Sequence, residues 1–132
     1  MKWFYSDKVK DHFLNPRNVF KSEEEERNFK ADIVGEVGNV MCGDILKIYL
    51  KVKEGKIVDC KFKTWGCASA ISSMSMLSEM IKGKTLDEAL KIKPKDITGN
   101  LEGLPPHKVH CSVLSFKALR EAIEKYKEKN KF

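Results

Sequence analysis

Two segments of alternating apolar and polar residues flank a short polar turn in the middle of the chain. Because successive side chains of a β-strand point to opposite faces, this alternation predicts two strands with one buried face each. The turn, residues 53–56, contains Gly55, which suits the left-handed backbone of a tight hairpin. The predicted inward positions are Leu46, Ile48, Leu50 and Val52 on the first strand, and Val58, Cys60 and Phe62 on the second. The centre of the chain is therefore predicted to be an antiparallel β-hairpin.

Further elements are predicted on both sides of this hairpin. Residues 31–37 are predicted to add a first strand, which makes a three-stranded antiparallel sheet. Caps and apolar spacing predict helices at residues 7–14, 68–82, 85–93 and 112–129. Residues 21–26 are predicted to be an exposed connection, and residues 97–108 to be irregular. Because the later helices follow the strands rather than alternate with them, we expect an α+β fold with helices packed on the sheet.

The length and the composition limit the class of protein. A chain of 132 residues is long enough for one hydrophobic core, so we expect a single domain over residues 1–132. It contains no apolar run long enough to span a membrane, and its first residues lack the apolar stretch of a signal peptide. We therefore expect a cytoplasmic protein without a membrane partner. In that reducing compartment, its four cysteines are predicted to be ligands or reactive thiols rather than disulfides.

The net charge of +6 raises the question of nucleic acid binding. The lysines, however, are scattered along predicted strands and helix faces, many of them beside glutamates. Only two stretches, residues 82–95 and 125–131, are locally basic, and the one aromatic residue within them, Tyr126, belongs to the apolar stripe predicted for the last helix rather than to a base-stacking surface. The charge pattern therefore predicts a solvated lysine-rich surface and no nucleic acid partner.

Three cysteines lie in short polar segments beside a second potential ligand. Cys42 is followed by Asp44 in the loop predicted between the first two strands, and His110 directly precedes Cys111. Cys67 and Cys111 stand at the predicted starts of helices, where the helix dipole favours the thiolate that a metal ligand or a nucleophile requires. Their spacing is too long for a zinc knuckle or a ferredoxin run, so tertiary structure has to close the site. Three thiols with one weaker ligand suggest a site that releases what it holds, although a structural zinc site also fits.

The remaining cysteine and the first histidine are predicted to have structural roles. Cys60 occupies an inward position of the second hairpin strand, where a small buried hydrophobe is the expected role. His12 lies on the first predicted helix and is expected to be a surface or packing residue rather than a ligand.

Four segments of the chain, in order, resemble the IscU/NifU-N family of iron–sulfur cluster scaffolds. They are residues 5–18 (YSDKVKDHFLNPRN), 37–44 (VGNVMCGD), 61–71 (KFKTWGCASAI) and 104–112 (LPPHKVHCS). The last three each contain one of the cysteines at which the family holds its cluster. Ala68 stands where the family usually has glycine, a replacement that requires a negative φ at this position.

The resemblance implies a scaffold protein rather than an enzyme. Such a scaffold receives persulfide sulfur from a cysteine desulfurase, with iron and electrons from donors, and passes a labile cluster, usually 2Fe-2S, to apo-proteins. By this resemblance Cys111 is the persulfide acceptor, and Cys42, Cys67 and Cys111 are thiolate ligands. Asp44 is the first choice for the fourth ligand, and His110 is the next. Residues 104–108 are the segment that a chaperone pair recognises in many relatives.

Two alternatives stay open. Related SufU proteins bind zinc tightly and act in sulfur transfer, but they typically carry an insertion before the third cysteine and lack the histidine present here as His110. A structural zinc protein that serves as an interaction module is the other. Zinc in the purified protein would not separate these alternatives, because zinc also occupies thiolate-rich scaffold sites.

Overall fold

The computed structural model describes residues 5–39 and 43–129, apart from the side chains of Asn39 and His107. In this part of the chain, two short helices precede a β-meander, and both long and short helices follow it. The elements are α1 (Asp7–Leu14), α2 (Glu23–Phe29), β1 (Ile33–Asn39), β2 (Asp44–Lys53), β3 (Lys56–Trp65), α3 (Ala68–Ile81), α4 (Leu86–Leu90), α5 (Pro94–Asn100), a 3₁₀ turn (Pro106–Lys108) and α6 (His110–Lys129).

The three strands form an antiparallel sheet in the order β1-β2-β3, so the predicted α+β class and the predicted sheet are confirmed. The turn of the hairpin places Glu54 at φ 53° and Gly55 at φ 77°. Two consecutive left-handed residues give the turn the twist of the strands that it joins.

The inward face of the sheet follows the predicted alternation, with one error. Leu46, Ile48 and Leu50 of β2 are fully buried, and so are Cys60 and Phe62 of β3. Val58, however, was predicted to point inward and is 54% exposed, and Ile57 is buried in its place. The cause is a register shift after Lys51, which pairs Val52 with Ile57. Such a bulge adds one residue on one strand and reverses the faces beyond it.

Helices α3 and α6 cover the inward face of the sheet. Met74 and Leu77 of α3 and Leu119 and Ile123 of α6 are fully buried there. α6 lies very close to β1, since a Cβ on Gly35 would be 2.2 Å from the carbonyl oxygen of Ala118. α6 begins at His110, two residues before the predicted start, and α3 begins at Ala68, whose φ is outside the left-handed region.

Helix α1 docks on α3 through hydrogen bonds as well as through apolar packing. Ser6 caps α1 by accepting from the amide of Val9, as its position before the helix predicts. His12 is buried, and its Nδ1 lies 2.7 Å from the Oγ of Ser75, which also accepts from the Arg17 amide. His12 is therefore a packing residue, in agreement with the sequence-based expectation.

Two segments predicted to be irregular contain helices instead. Residues 23–26 are not an exposed connection but the start of α2, which Ser22 caps and the buried Phe29 anchors. Four consecutive glutamates suit a first helical turn because they oppose the positive end of the helix dipole. Within residues 97–108, the first four belong to α5, which begins with Pro94 at a position where no amide donor is needed. No helix within the described ranges is both long enough and apolar enough to cross a membrane.

Candidate metal centre

One end of the sheet and the first turns of two long helices meet at the candidate site. β3 ends at Trp65, and Cys67 is the N-cap residue of α3 two positions later. α6 starts at His110, so Cys111 is its second residue. The predicted placement of both cysteines at helix starts is therefore confirmed.

The two thiols are in contact. The Sγ atom of Cys67 lies 3.7 Å from the Sγ atom of Cys111. Two sulfurs that bind one tetrahedral ion at about 2.3 Å each are about 3.8 Å apart. The pair is therefore spaced to hold a single metal ion, or one iron of a cluster, without a large movement.

Asp44 brings a carboxylate to this pair of thiols. It was predicted to lie in a loop, but it is the first residue of β2, because the pairing with β1 continues to Asn39 opposite Asp44. Alternation along β2 puts Asp44 on the same face as Leu46, so its side chain is 5% exposed and faces the helices. In the described part of the chain, ligand atoms of Asp44, His110 and Cys111 lie within 4.8 Å of one another.

His110 contacts the thiol of its neighbour. Its Nε2 lies 3.8 Å from the Sγ of Cys111, and the side chain is half-buried. A neutral imidazole nitrogen is an ordinary ligand for zinc and iron. The structure thus brings together four of the five predicted ligands, and both candidates for the fourth ligand, Asp44 and His110, reach the same place.

The fifth predicted ligand, Cys42, lies outside the described residues. Cys60, the other cysteine, is apart from the site. Its fully buried thiol lies 3.4 Å from the carbonyl oxygen of Ser78, and burial raises its pKa to about 12. The predicted core role of Cys60 is therefore confirmed.

The electrostatics of Cys111 differ from the expectation. The helix start was expected to favour a thiolate, but burial raises the pKa of the Cys111 thiol above its usual range, and the charge of Cys67 acts in the same direction. The positive half-charge at a helix N-terminus lowers a thiol pKa by less than burial beside a second anion raises it.

Lys108 lies near the site, a placement that the sequence did not indicate. Sequence reasoning left this lysine either in the segment recognised by a chaperone pair or as an ordinary surface lysine. The negative charge of Cys67 raises the pKa of Lys108, and Tyr5, Cys111 and Asp44 act in the same direction. The lysine therefore lies within the electrostatic reach of the thiols, and its position two residues before His110 was the available signal.

The donor set combines soft and hard ligands. Thiolates suit iron–sulfur clusters and zinc, whereas a carboxylate is a harder and weaker ligand for both. The four described ligands come from three segments far apart in sequence, around Asp44, Cys67 and His110-Cys111, so they come together only in the folded chain. The arrangement can bind a thiophilic metal or a small cluster.

The chain matches a known family over almost all its length. The family model described as the NifU-like N-terminal domain matches residues 4–132. The iron–sulfur cluster assembly scaffold protein IscU 1 of Archaeoglobus fulgidus is 56% identical over 126 residues, 96% of this chain and 78% of that protein. The scaffold protein IscU of Escherichia coli K12 is 50% identical over 126 residues, 95% of each chain.

Solved structures share the fold. A NifU-like N-terminal protein from Brucella abortus has a TM-score of 0.75 over 94% of each chain, and at 20% identity this shows the fold alone. A protein from Fervidobacterium islandicum, described as a cluster assembly scaffold for the SUF system, has a TM-score of 0.68 and 28% identity. That match covers 90% of this chain and 96% of the other.

Proposed function

The chain belongs to the family of NifU-like N-terminal domains, and we propose on this premise that it is a scaffold for iron–sulfur cluster assembly. It holds a labile cluster as cargo and passes it to apo-proteins. The observation that carries the proposal is the contact between the thiols of Cys67 and Cys111. The Asp44 carboxylate and the His110 imidazole lie beside this pair. Two relatives, 56% and 50% identical to this chain, bear the name of such a scaffold.

We assign distinct roles to the ligands. Cys67 and Cys111, with Cys42 as the third thiolate, hold the iron, and the cargo is a 2Fe-2S cluster. Asp44 is the fourth ligand, because its carboxylate is a hard donor and binds the iron of a thiolate- and sulfide-ligated cluster less tightly than a thiolate does. His110 is the alternative fourth ligand. Zinc fits the same donors and is expected to occupy them when iron is absent.

Sulfur reaches the site as a persulfide that a cysteine desulfurase supplies. The thiolate of Cys111 attacks the outer sulfur of the desulfurase persulfide, a bond to that sulfur forms, and the desulfurase thiolate leaves. The transferred sulfur is still at the oxidation level of sulfane sulfur, so an electron donor has to supply two electrons for each sulfide formed. Since Cys111 is fully buried, its helix turn has to move before the attack.

The partners follow from this cycle. They are a cysteine desulfurase, donors of iron and electrons, and apo iron–sulfur proteins as recipients. We also propose that a chaperone pair contacts residues 104–108, where Pro105 leads into the 3₁₀ turn before α6. The chain itself performs no autonomous catalysis in this proposal, because each chemical step uses a partner.

Anaerobic reconstitution with iron, cysteine and a cysteine desulfurase tests the proposal. We expect visible absorption of a cluster, iron and sulfide in equal amounts, and transfer of the cluster to an apo-ferredoxin. A chain that forms no cluster under these conditions, or one that never releases it to the acceptor, would contradict the scaffold function.

The second candidate is a zinc-binding sulfur-transfer protein like SufU. The similarity to the SUF-system protein of Fervidobacterium islandicum favours it, although the identity of 28% is far below that of the IscU relatives. The half-buried His110 beside the thiols argues against it, since SufU proteins typically lack this histidine. Tightly held zinc, no cluster and faster desulfurase turnover in the same experiment would favour sulfur transfer.

A further inference from the structure

Gly66 lies opposite Asp44 where the β2–β3 ladder ends. Ile45 pairs with Trp65 in this ladder, and the same register carried one residue further sets Asp44 opposite Gly66. Side chains directly opposite each other in an antiparallel pair share one face of the sheet. A side chain at position 66 would therefore stand on the face that carries Asp44 and the two long helices.

The Asp44 carboxylate occupies the space that such a side chain would need. A Cβ built on Gly66 lies 2.7 Å from Oδ1 of Asp44 and 3.1 Å from its Cγ. Both distances are well below the contact distance of about 3.5 Å at which such atoms attract. Asp44 is 5% exposed, so its carboxylate has little room to turn away into solvent.

The backbone conformation does not explain the glycine. Four other glycines, Gly43, Gly55, Gly83 and Gly103, have φ values in the left-handed region, where a side chain is strained. Gly66 lies outside that region. Apart from the carboxylate, the nearest neighbour of the added Cβ is the Cβ of Ala70 at 3.1 Å, on the first turns of α3.

We propose that Gly66 is a positioning residue for Asp44. Because Gly66 has no side chain, the Asp44 carboxylate has room to lie against the backbone next to Cys67. There its oxygen is within 4.8 Å of the ligand atoms of His110 and Cys111. The consequence for the cargo rests on the proposed function, because it requires Asp44 to be a ligand. The contact between Gly66 and Asp44 does not depend on that function.

A double-mutant cycle on the metal-free chain tests the contact. The four proteins are the wild type, Gly66→Ala, Asp44→Ala and the double variant, and the measurement is the urea midpoint of unfolding. We expect Gly66→Ala to lower the midpoint strongly when Asp44 is present and much less when residue 44 is alanine. Gly99→Ala is the matched control, because its added Cβ meets nothing within 4 Å and its φ is not left-handed.

Two outcomes of the cycle would overturn the proposal. One is an equal loss of stability in both backgrounds. This would show that the added methyl group clashes with Ala70 of α3 rather than with the Asp44 carboxylate. The other is failure of both the single and the double Gly66 variant to fold. If only the single variant fails and Asp44→Ala rescues it, the proposal is supported.

Cobalt(II) binding gives a readout that a purely structural role would not change. The absorption of bound Co²⁺ depends on which atoms coordinate it. We expect the Gly66→Ala spectrum to match that of Asp44→Ala, with binding about tenfold weaker than in the wild type. A wild-type spectrum in Gly66→Ala would overturn the proposal. Neither measurement involves a cluster. If the chain shows both effects but never assembles a cluster, the proposed function is overturned and the role of Gly66 is not.

Discussion

Cys67 and Cys111 approach each other to 3.7 Å between their Sγ atoms, although they are 44 positions apart in the chain. Cys67 is the N-cap residue of α3 and Cys111 lies in the first turn of α6, and these two helices pack against each other. The packing of the core thus fixes the separation of the two thiols. The same contacts that stabilise the fold prepare the chain to bind a soft metal.

We expect a trivalent arsenical to bridge this pair in the metal-free protein. Phenylarsine oxide bonds two thiols only when they lie close together. The variant that combines Cys42→Ala and Cys60→Ala retains only Cys67 and Cys111, and it should bind one equivalent, as mass spectrometry can measure. Adding Cys67→Ser should abolish tight binding, and unchanged binding would show that the two thiols are not the bridged pair.

Cys60 should be chemically silent in the folded chain. Because burial raises its thiol pKa to about 12, iodoacetamide at pH 8 should modify Cys60 only after unfolding in urea. Cys60→Ala should leave the cluster yield nearly intact and cost about 1 to 2 kcal/mol of stability, since it leaves a small cavity in the core. A large drop in cluster yield with unchanged stability would assign Cys60 a chemical role instead.

The alternation of apolar residues predicted the hairpin because a half-buried strand leaves a direct trace in sequence. The bulge after Lys51 leaves no such trace, so Val58 was placed on the wrong face. α2 was missed for a related reason. A run of glutamates is as typical of a solvated connection as of a first helical turn, and only the tertiary contacts of Phe29 decide between the two.

The candidate site was predictable in its parts but not in its geometry. The residues around the cysteines identify helix starts, and the alternation of β2, extended by one residue, indicates that Asp44 faces inward. The thiol contact and the burial of Cys111 arise from the packing of α6 on α3, which no local pattern encodes. For that reason burial, which raises the pKa of the Cys111 thiol, outweighs the expected effect of the helix dipole.

The docking of α1 should weaken in mild acid. Burial lowers the pKa of His12 from its usual 6.5, and the charge of Arg17 acts in the same direction. The Nδ1 of the His12 ring and the Ser75 hydroxyl share a hydrogen bond, and the Ser75 oxygen also accepts a hydrogen bond from the Arg17 amide. Below about pH 6.5 the unfolded chain binds the proton more readily than the folded chain, so stability falls as the pH falls towards the lowered pKa.

The measurement for His12 is the free energy of unfolding at pH 7.5 and at pH 5.5. This window lies above 3.8 and 4.5, the ordinary pKa values of aspartate and glutamate side chains, and the carboxyls whose pKa is lowered affect stability only at lower pH. The charged groups that act on the ring are Arg17, Asp11, Glu79 and Lys8. The wild type should lose more stability than His12→Gln. Equal losses in the two proteins would exclude His12 as the origin.

Asp44→Ala should slow the loss of the cluster to a chelator. A carboxylate is the weakest match to iron among the described ligands, so its exchange with water opens the coordination position through which a competitor enters. Without Asp44, we expect His110 to coordinate the iron at that position, because its imidazole lies beside Cys111 and is a softer donor than a carboxylate. We expect release at least about fivefold slower, which corresponds to about 1 kcal/mol in the barrier.

The measurement is the decay of visible absorption after the chelator is added. Asp87→Ala is the matched control, because it removes a carboxylate from the exposed ion pair with Lys127. Release from Asp44→Ala at the rate of this control, or faster, would show that the Asp44 carboxylate is not the group that makes the cluster labile.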